Sequence, residues 1–181
     1  MSEPRKLYGD QRRAYILQSL QESTDPVPAR ALAEKTNVSR QVIVQDISLL
    51  KAKDEPIIAT AQGYIYVQKM AQKKPQQVIA CQHKPDETEH ELNIIVDHGV
   101  TVVDVTVEHP IYGQLTGSLM LRNRKDVRRF IEKMDQTNAS LLSELTEGVH
   151  LHTMEADTEQ QLQEAYQTLH EAGYLLINKD E

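Results

Sequence analysis

Thr36-Asn37-Val38-Ser39-Arg40-Gln41-Val42-Ile43-Val44-Gln45-Asp46-Ile47 is the stretch on which the reading of the fold turns. A short helix ends at Thr36, a turn carries one apolar residue, and Ser39 is placed to cap a second helix. A serine there accepts a bond from an orphan N–H and stabilises the helix start by about 1 kcal/mol. Val42 stands three residues on, so no capping box forms. The helix from Ser39 to about Lys53 carries Ile43, Ile47 and Leu50 at i, i+4 and i+7, the spacing of a buried face. Arg40, Gln41, Val44, Gln45 and Ser48 then point outward. Arg can grip guanine and Gln adenine in the major groove, and Val44 can touch a thymine methyl. Ser39 sits at the same helix start, and Lys51, Lys53, Arg12 and Arg13 suit phosphate contacts, which position without specifying.

Working outward, a helix is expected over about Leu7 to Gln21, with Tyr15, Ile16 and Leu20 on one side. Pro26 and Pro28 mark a stop and restart before a short helix from about Ala29 to Lys35. Downstream, Ile57-Ile58-Ala59-Thr60 and Tyr64-Ile65-Tyr66-Val67 flank Ala61-Gln62-Gly63 and fit a hairpin. As the wing, it would bring Gln62 and Tyr64 to the minor groove or the backbone. The bland alternative is a solvated face on an ordinary three-helix domain. Turn, short second helix and trailing hairpin together favour a winged helix-turn-helix that binds double-stranded operator DNA.

Charge divides the chain in two. Residues 1–74 hold twelve Lys/Arg against eight Asp/Glu, and residues 75–181 hold eight against nineteen. A mildly basic module therefore precedes a strongly acidic one, which suits a polyanion partner for the front half only. The polar run from Gln68 to Gln77 reads as a linker, placing the boundary near residue 72, with domains over 1–72 and 73–181. No apolar run is long enough for a membrane span, the N-terminus lacks a signal-peptide layout, and Cys81 is the only cysteine. Those features fit a reducing cytoplasm.

In the rear half, strands are expected over Val78–Cys81, Val100–Val107, Leu115–Leu121, Val149–Met154 and Tyr174–Ile177. Helices are expected over about Asp86–His98, Asn123–Asp135 and Thr158–Ala172, ended by glycine in the first and last cases. The whole is an α+β chain: a winged helix-turn-helix followed by a mixed α+β sheet domain with its helices on one face.

Six of the seven histidines lie between residues 83 and 152. Strand alternation puts His150 and His152 on one face, roughly 6.6 Å apart at Cα, close enough to share an ion. An alternating surface strand explains such a pair as readily. His83 ends the first strand of the same domain. In the helix after it, Leu92, Ile94, Ile95 and Val96 define the buried side; Glu91 falls on its edge and His90 faces solvent. A carboxylate beside a buried stripe needs a partner. His83, Glu91, His150 and His152 thus offer three imidazoles and a carboxylate to one divalent transition metal, Zn²⁺, Ni²⁺, Fe²⁺ or Mn²⁺. Cys81, two residues before His83, reads as buried packing rather than as a ligand. His98 reads as a helix-end cap. His109-Pro110-Ile111-Tyr112-Gly113 is a turn whose His109 and Tyr112 either line a ligand pocket or simply satisfy the turn.

With these segments and Leu145-Thr146-Glu147-Gly148-Val149-His150-Leu151-His152 in place, the chain resembles the nicotinate-responsive repressors of NAD biosynthesis and niacin uptake. Val38 to Ile47 also resembles the winged helix-turn-helix of biotin repressors. The first resemblance covers nearly all 181 residues, and the Thr-X-Gly-Val-His-X-His and His-Pro-X-Tyr-Gly segments are its specific parts. It implies a non-enzymatic repressor with nicotinic acid as co-repressor, a bound transition metal on His83, Glu91, His150 and His152, and a homodimer on a palindromic operator. Thr146 joins His109 and Tyr112 as an expected pocket residue. Two rivals stand beside it: a repressor sensing the metal alone, and a metal-dependent hydrolase with a DNA-binding appendage. No Gly-rich phosphate loop, His-Glu-X-X-His motif or Gly-X-Ser-X-Gly elbow favours the enzyme.

Overall fold

A computed structural model describes residues 8–67 and 74–177. Leu7 and linker residues 68–73 lie outside the described residues. The chain divides into two compact units between Ala71 and Gln72.

In the first unit, helices α1 (Gly9–Gln21), α2 (Ala29–Thr36) and α3 (Arg40–Lys51) precede strands β1 (Ile57–Thr60) and β2 (Gly63–Tyr66), which pair antiparallel. The periodic residues form the core: Ile16 and Leu20 of α1, Leu32 and Ala33 of α2, Ile43, Ile47 and Leu50 of α3, and Ile57 of β1. Burying each large aliphatic side chain contributes about 1.5–3 kcal/mol. Asn37 ends α2 in the left-handed region at φ 52°, and its N–H reaches Ala33 and Glu34 carbonyls. Ser39 Oγ then accepts the Val42 N–H at 3.4 Å, so the turn is capped on both sides. Val27 and Tyr64 exchange two backbone hydrogen bonds of 2.9 Å, which tie the entry to α2 to the wing.

The second unit is a four-stranded antiparallel sheet in the order β3-β6-β4-β5. Its strands are β3 (Gln76–Gln82), β4 (Thr101–His109), β5 (Gly113–Leu121) and β6 (Val149–Glu155), so Gln76 and Gln77 belong to a strand and not to the linker. Helices α4 (Thr88–Asp97), α5 (Arg124–Thr137) and α6 (Glu159–Glu171) complete it, and α4 packs against both other helices. Alternation along β6 buries His150, His152 and Met154, which register puts beside Cys81, Ile79 and Gln77 of β3. α4 contacts β4, buries Leu92 and Ile95, and sets Glu91 against His150 and His152. Of the α5 stripe only Val127 is fully buried; Phe130, Ile131 and Met134 are half-buried, because α5 leans on α4 rather than on the sheet.

The closing strand expected over Tyr174–Ile177 is instead a short strap. It touches β3 by one bridge, Cys81 to Leu175, with the Gln82 N–H donating to Tyr174 O and the Leu176 N–H to Ala80 O, both at 2.9 Å. Two bonds at a sheet edge do not make a ladder.

Candidate metal centre and nucleic-acid interface

The metal candidates converge. His83 follows β3, His150 and His152 lie on neighbouring β6, and α4 lowers Glu91 onto the same face. Glu91 Oε2 is 2.7 Å from His83 Nε2 and 3.5 Å from His152 Nε2, and its Oε1 is 3.3 Å from His150 Nε2. All four side chains are at most 3% exposed. The approach of β6 to His83 needs Gly148: a Cβ there would stand 2.3 Å from the His83 carbonyl oxygen.

The ring orientations carry the chemistry. His83 Nδ1 donates to Lys84 O at 2.8 Å, His150 Nδ1 to Gly148 O at 2.8 Å, and His152 Nδ1 to Asp104 O at 2.6 Å. A carbonyl oxygen only accepts, so each Nδ1 carries hydrogen and each Nε2 is turned towards Glu91. Backbone carbonyls that fix the Nδ1–H tautomer are the usual outer support of metal-binding histidines. Three Nε2 atoms around one carboxylate need either protons or a cation between them. Glu91 Oε1 meets the ion-pair distance to His150 but lies off the line of a hydrogen bond, so it is buried without a donor. These residues fit a transition metal.

Electrostatics agree with that arrangement. Burial opposes the Glu91 charge, but His152, His150 and His83 outweigh it and hold the carboxyl well below the usual carboxylate range. Burial likewise opposes charge on His83 and His152, yet Glu91 holds both above the ordinary imidazole value. An ion binding there would compete with protons for the same nitrogens. Burial first, then the charge of Glu91, push the Cys81 thiol far up.

Cys81, buried as expected, also stands beside Glu91 and His150. Its sulfur, a Glu91 oxygen and a His150 nitrogen all lie within 4.8 Å of one another. Tyr174 was also missed: its ring stands 5.3 Å from that of His83, and its hydroxyl shares a 2.7 Å hydrogen bond with His90, which is thereby engaged though exposed. His98 does bind its own helix end, donating from Nδ1 to Ile94 O at 2.8 Å.

The expected pocket trio does not join the centre within one chain. His109 and Tyr112 sit at the tip of the β4–β5 hairpin, three residues past the last β4–β6 pair, Thr106 with Leu151. His109 Nδ1 accepts the N–H groups of Ile111 and Tyr112 at 3.2 and 3.3 Å, so it satisfies the turn, and Tyr112 is 75% exposed. The Thr146 hydroxyl is bound to Ser143 O and Val149 O. The cavity beside the cluster, about 500 Å³, is lined instead by Gln82, His83, Lys84, Pro85, Glu87, Ser143, Glu144, Glu147 and Gly148.

In the first unit, Ser39, Arg40, Gln41, Gln45, Ser48, Lys51 and Lys53 are exposed, and Val44 and Gln62 are half-buried. Arg12, Arg30, Asn37, Ser39, Arg40 and Gln45 are among the residues lining a groove of about 1050 Å³ at the start of α3. Arg30 is an addition to the expected set. Ser48 Oγ is turned back to Val44 O at 2.9 Å. Tyr64 packs against the core and bridges Val27, so the wing presents Gln62 rather than Tyr64.

Asp46 is the residue that sequence reasoning passed over. It is 2% exposed on the recognition helix, and it accepts from Arg12 Nε and Nη2 and from Arg13 Nη1, the latter two at 3.3 and 3.1 Å. Arg12 and Arg13 therefore clamp α3 to α1 instead of serving simply as phosphate contacts. The signal was present: Asp46 lies within the stripe of Ile43, Ile47 and Leu50, where a carboxylate needs a partner. An Asp46→Ala chain will lose about 1.5–3 kcal/mol of stability, because two largely covered guanidinium groups lose their charged hydrogen-bond acceptor. Urea unfolding would measure it; an unchanged midpoint would mean the clamp does nothing.

A DNA-binding helix-turn-helix joined to a sheet domain with three converging histidines defines a class of transcription regulators, and comparison with known proteins agrees. Residues 12–65 match the HTH domain family and residues 76–178 the 3H domain family. The chain belongs to the NadR/NiaR family of transcription repressors, which are regulators and not enzymes. It is 54% identical over 178 residues to "Transcription repressor NadR" of Bacillus subtilis (strain 168), covering 97% of this chain and 99% of the relative. It is 36% identical over 171 residues to "Probable transcription repressor NiaR" of Thermotoga maritima, covering 94% and 97%. Among the described residues, no helix is long and apolar enough to cross a membrane.

Proposed function

We propose that this chain is a cytoplasmic, homodimeric repressor of niacin uptake and NAD biosynthesis genes. Its 3H domain would hold one divalent transition metal per subunit and sense nicotinic acid as co-repressor. The observation that carries the sensing half is the set of three Nδ1–H imidazoles aimed at one buried carboxylate. His83, Glu91, His150 and His152 would hold the ion, which supplies a Lewis-acidic position for a pyridine nitrogen or a carboxylate. The cavity beside His83 favours an organic ligand over sensing of the metal alone. The identity of that ligand rests on the resemblance to nicotinate-responsive repressors.

On DNA, Arg40, Gln41, Val44 and Gln45 would read base edges. Ser39, Arg30, Lys51, Lys53 and Gln62 would contact the backbone, and Ser48 would do so only after releasing Val44 O. Two recognition helices would meet half-sites roughly 34–36 Å apart. Ligand binding can favour that spacing only by as much as it prefers it.

Operator affinity titrated with nicotinate should tighten about 5- to 150-fold, the usual span of such coupling, and a chelator should remove the effect. Chelator sensitivity with no response to nicotinate would instead identify a metal-sensing repressor. Indifference to both would end the co-repressor reading.

A further inference from the structure

The metal reading leaves one buried side chain in the cluster unused. Cys81 on β3 pairs directly with His150 on β6, and both face α4. Its sulfur is completely covered and lies within 4.8 Å of a Glu91 oxygen and a His150 nitrogen. A second observation pointing to a cation here is Glu91 Oε1, wholly buried, without a hydrogen-bond donor and 3.3 Å from His150 Nε2.

We propose that Cys81 is a further ligand of the ion held by His83, Glu91, His150 and His152, bound through its sulfur as a thiolate. The inference rests on the metal reading and adds a donor to it. Charge argues for it first. A divalent ion with one carboxylate and three neutral imidazoles leaves a net positive charge among side chains at most 3% exposed. Uncompensated charge in such a place is costly. A thiolate cancels it. Distance argues for it second. Metal–sulfur bonds of about 2.3 Å and metal–nitrogen bonds of about 2.0–2.1 Å put two ligand atoms of one ion roughly 3–4.4 Å apart, so the ligand atoms of Cys81, Glu91 and His150, all within 4.8 Å of one another, need close by no more than a few tenths of an ångström. On binding, the S–H bond breaks, its proton leaves to solvent, and a sulfur–metal bond forms; no electron changes hands. A thiolate also softens the donor set, favouring Zn²⁺ over Mn²⁺ beyond what imidazole and carboxylate provide.

The full chain, stripped of metal, would be titrated with Co²⁺ alone. It contains a single cysteine, so a thiolate-to-cobalt charge-transfer band in the near ultraviolet reports Cys81 and nothing else. The band should saturate at one Co²⁺ per subunit. A Cys81→Ser chain should still take up one Co²⁺ without the band, and its preference for Zn²⁺ over Mn²⁺ should shrink by roughly tenfold or more. X-ray absorption at the zinc edge of the unaltered protein, which needs no variant to fold, should show one sulfur among the nearest scatterers. One Co²⁺ bound with no band and only nitrogen and oxygen scatterers would overturn this assignment and leave the metal reading standing. No uptake of Co²⁺ or Zn²⁺ by the unaltered chain would overturn both.

Discussion

A Glu91→Gln chain is expected to bind its metal at least 100-fold more weakly than the parent and to lose the difference in melting temperature between metal-loaded and chelated protein. Glutamine keeps the shape of the side chain and removes its charge. Glu91 is wholly buried and is the anion on which all three imidazoles converge. Removing one partner from a buried charged set costs about 3–5 kcal/mol, and every 1.4 kcal/mol is tenfold in affinity. The metal-free form should suffer less. The Gln amide can donate hydrogen bonds to Nε2 atoms, while His83 and His152 lose the anion that raises their affinity for protons. Metal titration by calorimetry, with melting in the presence and absence of chelator, separates the two effects. Parental affinity and stoichiometry in the variant would show that the centre is not built on Glu91.

Gly63→Ala should unfold the first unit at far lower denaturant while leaving metal uptake intact. Gly63 opens β2 at φ +146°, a conformation that side-chain-bearing residues rarely adopt. A Cβ there would stand 2.5 Å from Val27 C and O and 2.8 Å from Pro28 N, all backbone atoms that cannot rotate aside. Relief means separating the wing from the segment before α2 and breaking the Val27–Tyr64 bonds. Strain and overpacking together come to about 3 kcal/mol or more. Operator affinity should fall with the fold of this unit. The proposed metal ligands lie in the other unit, so stoichiometry should hold at one per subunit. Parental unfolding and operator binding would contradict the close approach.

How much was legible differs between the two sites. The recognition helix was readable because its signals are local: Ser39 caps at three residues' distance, and Ile43, Ile47 and Leu50 repeat with the turn of one helix. The same logic placed Glu91 on the edge of a buried stripe and His150 with His152 on one face of a strand. It misplaced Tyr64, whose outward position in the hairpin pattern gave no hint that Val27 would pair with it. The burial of Asp46 was legible in the same stripe, but its partners were not, because they lie 33 and 34 residues away on another helix.

Local pattern therefore determined most of the elements and their buried faces, though not the strap at Tyr174–Ile177 or the start of β3 at Gln76, and composition alone gave the division into a basic front and an acidic rear. Spacing also brought His83, Glu91, His150 and His152 forward as candidate ligands, but it read Cys81 as packing. Only the tertiary structure decided who meets whom. Strand order β3-β6-β4-β5 seats β6 against β3, bringing Cys81 beside His150, while the β4–β5 hairpin carries His109 and Tyr112 beyond the last β6 pair. Local pattern reports which way a side chain faces, because that depends on the backbone repeat. Which distant segment it faces depends on how strands cross over, and no short-range repeat encodes that.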